Sequence, residues 1–361
     1  MLNLLHAADL HLDSPFAGLT PEQAALRRAE QRTVLDRLAD LANKEQVDLV
    51  LLAGDLLDGD RVYRETVDSL AQTLGRIRAK VFISPGNHDP YNAASPYALP
   101  IWPDNVHIFT SPHPVGVELP ELGCTVYGAA FTAEQNEGSP LEQFSVSGGG
   151  LNLMVLHGNT TGRDYAPVSS AQIAASGLDY LALGHIHQGS GLQKSGGTYW
   201  AYPGCPEGRG FDELGEKGAL LVQVGPGQVQ TRFCPLALRR YEILDVDLTD
   251  CSDPLSAVET ALPPHTEGDI FRIRLTGSFD LSPQELVRLE QALAPRFHAL
   301  EMQDRTRPPR DLWARADEDS LTGLFLRAMA QKCREEPQSD TLQLAVRFGL
   351  AALEQGEDVA P

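Results

Sequence analysis

Five short apolar runs in this chain each end on a polar block, and that arrangement restricts the fold more than any other feature of the sequence. The runs are Leu2 to Leu5, Val47 to Leu52, Val81 to Ile83, Leu151 to Leu156 and Tyr180 to Leu183. The blocks that follow them are Asp9-Leu10-His11, Gly54-Asp55, Gly86-Asn87-His88-Asp89, His157-Gly158 and Gly184-His185-Ile186-His187. Each run is short and β-prone, so it reads as a buried strand. Ligands of open α/β sheets gather at the carboxyl ends of strands. Five strand ends therefore bring His, Asp and Asn side chains to one rim, a composition that suits a pair of cations used for in-line attack at phosphorus.

Within that rim, Asp55 is the best candidate for a carboxylate shared by two ions, because Gly54 lets the backbone turn sharply after a buried strand. Asp9 and His11 stand at i and i+2, so on a continuing strand they face one side, and His185 and His187 repeat the spacing. His6 precedes Asp9 inside the strand and is expected to pack elsewhere. His107, His113, His265 and His298 lie outside the pattern and are expected at the surface.

The order DxH, GD, GNHD, H, GHxH resembles the calcineurin-like metallophosphoesterases, and it runs here from residue 9 to residue 187. Leu5-His6-Ala7-Ala8-Asp9-Leu10-His11-Leu12-Asp13, together with Tyr202-Pro203-Gly204 and the later Lys217-Gly218, is similar to the DNA-repair exonuclease branch, which holds SbcD-type nucleases and YhaO-like proteins. The resemblance implies an α/β fold, a four-layer α-β-β-α sandwich, with a small α+β cap module and C-terminal helices. It implies Asp9, His11, Asp55 and His187 around a first divalent metal ion, and Asp55, Asn87, His157 and His185 around a second. It implies manganese, whereas the nitrogen and oxygen donors alone suit Mn²⁺, Fe or Zn²⁺ equally. His88 would serve as general acid toward the leaving oxygen, and Asp89 would orient His88 or, the preferred reading, cap its loop. DNA and an SbcC-type coiled-coil ATPase are the implied partners. Dimers are common in the branch, though no segment here marks a homodimer face.

One position departs from the branch. Many of its nucleases carry a His shortly after the GD block, where this chain has Asp58 in Gly54-Asp55-Leu56-Leu57-Asp58. A carboxylate cannot steady a phosphate as an imidazolium can. The formal net charge of −20 points the same way, since a free-standing DNA binder needs a basic face. Bound cations or a partner would have to supply the positive field. A DNA nuclease is therefore the first reading and a small-molecule nucleotide phosphodiesterase or phosphatase the second. A scaffold without chemistry is the third, opposed by the intact blocks.

Three segments follow from composition and element order. Residues 1–240 read as the metallophosphoesterase domain, with helices over Pro21 to Lys44 and Val62 to Arg78. Thr20 is the expected N-cap of the first, whose Leu26, Val34, Leu38 and Leu41 should share a face. Residues 241–304 read as the α+β cap. Residues 305–361 read as a Pro/Arg connector and two amphipathic helices, a possible docking segment, ending in a small acidic tail. The amino end lacks a basic leader, and no apolar run reaches the ~20 residues of a membrane helix. Cys124, Cys205, Cys234, Cys251 and Cys333 are widely spaced without a CxxC pair, which suits reduced thiols in the cytoplasm.

Overall fold

Successive side chains of a strand point to opposite faces, and in this chain both faces of the central strands are covered. The structure is a computed structural model describing all residues except 18, 60–61, 136–137, 148, 163, 309–312, 337–338 and 356–361. The acidic tail and part of the 305–315 connector thus lie outside the described residues. From the amino end come β1 (Leu2–Ala7), α1 (Pro21–Lys44), β2 (Leu49–Leu52), α2 (Arg64–Gly75), β3 (Lys80–Ile83) and β4 (Val106–Ile108). Then follow β5 (Val115–Leu119), β6 (Cys124–Gly128), β7 (Leu151–His157), α3 (Ser170–Ala175), β8 (Tyr180–Gly184), β9 (Gln193–Ser195), β10 (Thr198–Ala201), β11 (Gly218–Gly225) and β12 (Gln228–Pro235).

These strands build two six-stranded sheets, ordered β12-β11-β1-β2-β3-β4 and β5-β6-β7-β8-β10-β9. β1 to β4 are mutually parallel, and so are β6, β7, β8 and β10. Alternation then sets the layers. Leu4, Leu49, Leu51 and Phe82 point from the first sheet into one core shared with Val126, Leu153, Val155, Tyr180 and Ala182 of the second. Leu5, Val50, Leu52 and Ile83 point the other way, against Val34, Leu35 and Leu38 of α1 and Leu70 and Leu74 of α2. Met154, Leu156, Leu181 and Leu183 cover the far face of the second sheet with Ile173 of α3. The result is the expected helix, sheet, sheet, helix stack. Each fully buried Leu in it contributes roughly 1.5–3 kcal/mol.

α1 begins as read from sequence. Thr20 Oγ1 accepts from Gln23 N at 3.3 Å and Thr20 N donates to Gln23 Oε1 at 3.1 Å, a reciprocal cap that contributes about 1 kcal/mol. Its buried face differs from the expectation. Leu26 is exposed, and the neighbouring Arg27 is buried among Glu30, Glu207 and the carbonyl of Gly208. Paired carboxylates let an arginine occupy an inward position that unpaired charge could not.

His6 is buried between the sheets. Its Nε2 faces the carbonyl of Leu183 at 3.2 Å and therefore donates, leaving Nδ1 to accept from Tyr180 Oη at 2.9 Å. Burial lowers its pKa from 6.5 to about 3, against a smaller opposite pull from the Leu183 carbonyl. The unfolded chain thus takes up a proton below pH 6.5 that the folded chain refuses. The stability of the neutral imidazole is whole above pH 6.5 and is lost as pH falls toward 3, by about 2 kcal/mol between pH 7 and pH 5. Urea unfolding at both pH values should show His6→Gln losing less stability than the unaltered chain by about that amount. Equal losses would contradict this account.

The carboxyl-terminal part holds β13 (Tyr241–Asp247), α4 (Pro254–Ala261), β14 (Ile270–Thr276), α5 (Pro283–Leu293), β15 (Ala299–Asp304), α6 (Leu321–Glu335) and α7 (Asp340–Gln355), with a three-stranded sheet ordered β13-β14-β15. The chain divides into two compact units. One is Met1–Ile243 with Pro264–Arg272 and Pro295–Leu300, and the other is Leu244–Pro263, Ile273–Ala294 and Glu301–Pro361. Within the second, α6 and α7 pack through Leu326, Val346 and Leu350. Ala345, Ala352 and Leu353 of α7 are exposed. No helix of the described residues is long and apolar enough to cross a membrane.

Candidate metal centre

β1 ends at Ala7, and the chain beyond it is not a continuing strand. Asp9 and His11 have φ of 56° and 45°, and Asp55 has φ of 50°. The i, i+2 argument for Asp9 and His11 therefore fails, because left-handed residues break the strand alternation. The loops after β1 and β2 instead run side by side. Asp9 N donates to Gly54 O at 3.0 Å, His11 N to Asp55 O at 2.9 Å and Leu12 N to Leu56 O at 2.9 Å. His185 has φ of 107°, so the His185 and His187 pair escapes simple alternation too. Two glycines admit the close approach. A Cβ on Gly86 would lie 2.1 Å from Asp55 Oδ1, and one on Gly184 would lie 1.8 Å from Ala53 O.

The seven candidate ligands converge as two clusters. In the first, His11 Nε2 lies 3.2 Å from His187 Nε2 and 3.7 Å from Asp55 Oδ2, while Asp9 Oδ1 lies 3.9 Å from His187 Nε2. In the second, His157 Nε2 lies 2.9 Å from Asn87 Oδ1 and 3.4 Å from Asp55 Oδ2, and His185 Nδ1 lies 3.2 Å from Asn87 Oδ1. Asp55 Oδ2 meets the Nε2 of a histidine in each cluster, whereas Asp9 Oδ1, 3.9 Å from His187 Nε2, meets the second cluster only at His157 Nδ1, also at 3.9 Å. The rims of both sheets contribute.

The protonation of these rings follows from what stands behind them. His11 Nδ1 meets Asp58 Oδ1 at 3.0 Å, and His187 Nδ1 meets Glu213 Oε1 at 2.6 Å. His157 Nδ1 meets Ala53 O at 2.9 Å. Ionised carboxylates and carbonyls only accept, so each Nδ1 carries the hydrogen and each Nε2 presents a lone pair. In the first cluster two lone pairs face each other beside two carboxylates. In the second a lone pair faces an amide oxygen and a carboxylate. Acceptors directed at acceptors repel unless something positive lies among them, so this donor set fits divalent cations. The titrations agree. Burial, and then the charge of Asp55, push Asp9 well above the usual carboxylate range. Burial lowers His11 and His185 to about 4.

His88 lies at the mouth, with its side chain 46% exposed, and its Nδ1 is 3.1 Å from Asp58 Oδ1. That hydrogen bond, outweighing burial, raises its pKa. Asp89 does not touch His88 in this way. Its carboxylate accepts from the amides of Gly86, Leu56, Leu57 and Asp55 at 2.8, 2.7, 3.0 and 3.2 Å, and from Tyr97 Oη at 2.5 Å. It caps the loop, as expected from sequence. His6 belongs to neither cluster, and His107, His113, His265 and His298 are exposed.

Sequence reading missed Glu213 and Arg209, and Lys217 entered it only as part of the branch resemblance, without a role. Arg209 Nη2 donates to Glu213 Oε1 at 2.9 Å, and Lys217 Nζ donates to His187 O at 3.1 Å. All three follow Tyr202-Pro203-Gly204. The available signal was charge in a glycine-rich stretch, Gly208-Arg209-Gly210 to Lys217, that no strand end announces. Asp58, the position that departs from the branch, receives both His11 and His88.

Comparison with known proteins agrees with this geometry. A family model described as calcineurin-like phosphoesterase matches residues 2–189. The Bacillus subtilis protein named uncharacterized metallophosphoesterase YhaO is 32% identical over 293 residues, covering 77% of this chain and 69% of its own length. The SbcD component of the SbcCD nuclease from the same organism is 25% identical over 278 residues, covering 64% and 68%. The DNA double-strand break repair protein Mre11 of Saccharolobus solfataricus is 22% identical over 300 residues, covering 74% and 72%.

Proposed function

We propose, from the premise that this chain belongs to the calcineurin-like phosphoesterase family, that it is a two-cation phosphodiesterase that cleaves DNA alongside an SbcC-type coiled-coil ATPase. The observation that carries the reading is the pair of acceptor-rich clusters joined by Asp55. Asp9, His11, Asp55 and His187 would hold one ion, and Asp55, Asn87, His157 and His185 the other. The sulfur-free donor set suits Mn²⁺, with Fe or Zn²⁺ as alternatives. When bound, such a pair polarises phosphoryl oxygens and supplies an attacking hydroxide near neutral pH.

The chain's own groups do the rest. Asp55 holds the two clusters at a fixed separation and accepts from His88 N at 2.9 Å. Asp58 holds the His88 ring through Nδ1 and favours its imidazolium form, whose Nε2–H is the proton available to the leaving oxygen. Asp89 holds the loop that presents Asn87 and His88. DNA as substrate rests on the two relatives named for nuclease or break-repair roles. Residues 241–304 are assigned to a cap module and 305–361 to a docking segment. Exposed Leu321, Leu324, Leu344 and Phe348 on α6 and α7 support the docking assignment. Free cysteines, three of them buried, favour the cytoplasm.

A second reading, hydrolysis of nucleotides or other small phosphodiesters, is favoured by Asp58 and the net charge of −20. One comparison separates the two. With Mn²⁺ supplied, linear single- and double-stranded DNA are set against cyclic nucleotides and aryl phosphodiesters. The nuclease reading expects DNA to be cleaved with the higher kcat/KM. Brisk turnover of the small esters beside inert DNA would replace it with the second.

A further inference from the structure

Behind the first cluster, on the side of the imidazoles turned away from it, a guanidinium stands between two carboxylates. Asp58 Oδ1 receives His11 Nδ1, and Glu213 Oε1 receives His187 Nδ1. Arg209 joins them. Its Nη2 donates to Glu213 Oε1 at 2.9 Å and its Nη1 lies 3.8 Å from Asp58 Oδ1, while its backbone N donates to Glu213 Oε2 at 2.8 Å. Nη1 also reaches Ser14 Oγ at 3.4 Å. Glu213 is buried and Arg209 largely so.

We infer that Arg209 is a positioning residue that ties Asp58 to Glu213 and so holds His11 and His187 as Nδ1–H tautomers with both Nε2 atoms aimed at one point. The inference rests on the two-cation reading above. A carboxylate behind a ligating histidine fixes its tautomer and raises its basicity. Both histidines of the first cluster have such a carboxylate. In the second cluster His157 has a backbone carbonyl there, and the Nδ1 of His185 faces inward toward Asn87. The two cation sites are therefore unequal, and Arg209 is the source of much of the inequality.

Two alternatives fit less well. Asp58, His11 and His88 are close enough to hold a further ion, but the guanidinium already supplies positive charge beside Asp58. A purely structural clamp would also satisfy its own donors, whereas Arg209 Nε is buried without a hydrogen-bond partner. Its position is set by Glu213, which accepts from both its Nη2 and its backbone N, and by the charge of Asp58. Lysine would keep the charge but lose the planar fork.

The test uses the full chain. Long-range proton–nitrogen spectra of metal-free, histidine-labelled protein read the tautomers, and calorimetric titration with Mn²⁺ reads the affinities. The unaltered chain should show His11 and His187 as Nδ1–H and two ions bound unequally. Arg209→Gln should mix the tautomers of both rings and weaken the tighter ion by about 10- to 100-fold, with the other changing less than about threefold. Arg209→Lys should recover part of that loss. Arg209→Gln with unchanged tautomers and unchanged affinities overturns the inference, and so does equal weakening of both ions with a lower unfolding temperature. If the unaltered chain binds no pair of ions, the two-cation reading falls first. If it binds two and Arg209→Gln matches it, only the clamp falls.

Discussion

Asp55→Asn is expected to strip the chain of tightly held cations and to lower phosphodiester turnover by about a thousandfold or more, the scale of several kcal/mol of lost charge stabilisation. Asp55 meets the Nε2 of a histidine in each cluster, while Asp9 meets Nε2 only in the first and the hydrogen-bearing Nδ1 of His157 in the second. Asp55 Oδ2 lies 3.7 Å from His11 Nε2 and 3.4 Å from His157 Nε2. Asparagine keeps the shape and can still accept from His88 N through Oδ1, so the loop should survive. It removes the charge that two ions would share. It also removes the repulsion that, after burial, raises both Asp9 and Asp89. Metal-free Asp55→Asn should therefore be at least as resistant to heat as the metal-free parent. Inactivity with undiminished stability distinguishes a lost ligand from a broken fold. Two ions per chain retained in the variant, by elemental analysis, would end the bridging role.

His88→Ala is expected to do the opposite to metal content and nearly as much harm to turnover. Both ions should remain, because His88 is not one of the seven converging ligands and its Nδ1 is taken by Asp58. It lies at the mouth with its ring centroid 4.7 Å from that of His11. Turnover should fall by about 10²–10⁴-fold, the usual contribution of a positioned acid. The loss should be largest for alkyl leaving groups and smallest for nitrophenolate, which departs without a proton. The Asp58 hydrogen bond, against burial, holds His88 above the ordinary value of 6.5. Its acid form therefore persists to higher pH, and activity declines as pH rises through that raised value. The decline should vanish in His88→Ala. Lost metal in this variant, or one uniform loss across leaving groups, would refute the assignment.

Most of what positions these residues was legible before any coordinates. β1, β2, β3, β7 and β8 are largely apolar on both faces because both are covered, so they stand out as runs broken only by residues such as Asn3, His6 and Asn152. The polar blocks mark their ends. β4 and β9 escaped because each spans three residues at a sheet edge, too short for a pattern. β5 escaped because most of its residues are exposed. In α1 hydrophobicity misled, since Leu26 turns outward and Arg27 inward, and besides Glu30 its partners, Glu207 and the Gly208 carbonyl, are distant in sequence. Arg209 and Glu213 were invisible for a related reason. Their roles depend on His187, twenty-two and twenty-six residues away, and no local period links them.

The backbone at the mouth has a consequence of its own. Asp9, His11, Asp55 and His185 occupy left-handed geometry, which costs a residue with a side chain about 1–2 kcal/mol over glycine. Glycine at any of them would relax the turn and delete a ligand. Sturdiness and chemistry thus pull these four positions apart, and the greasy layers beneath must carry the difference. A descendant freed from catalysis would be under no such tension, and its mouth could slacken into glycine, leaving a tougher protein with nothing to do.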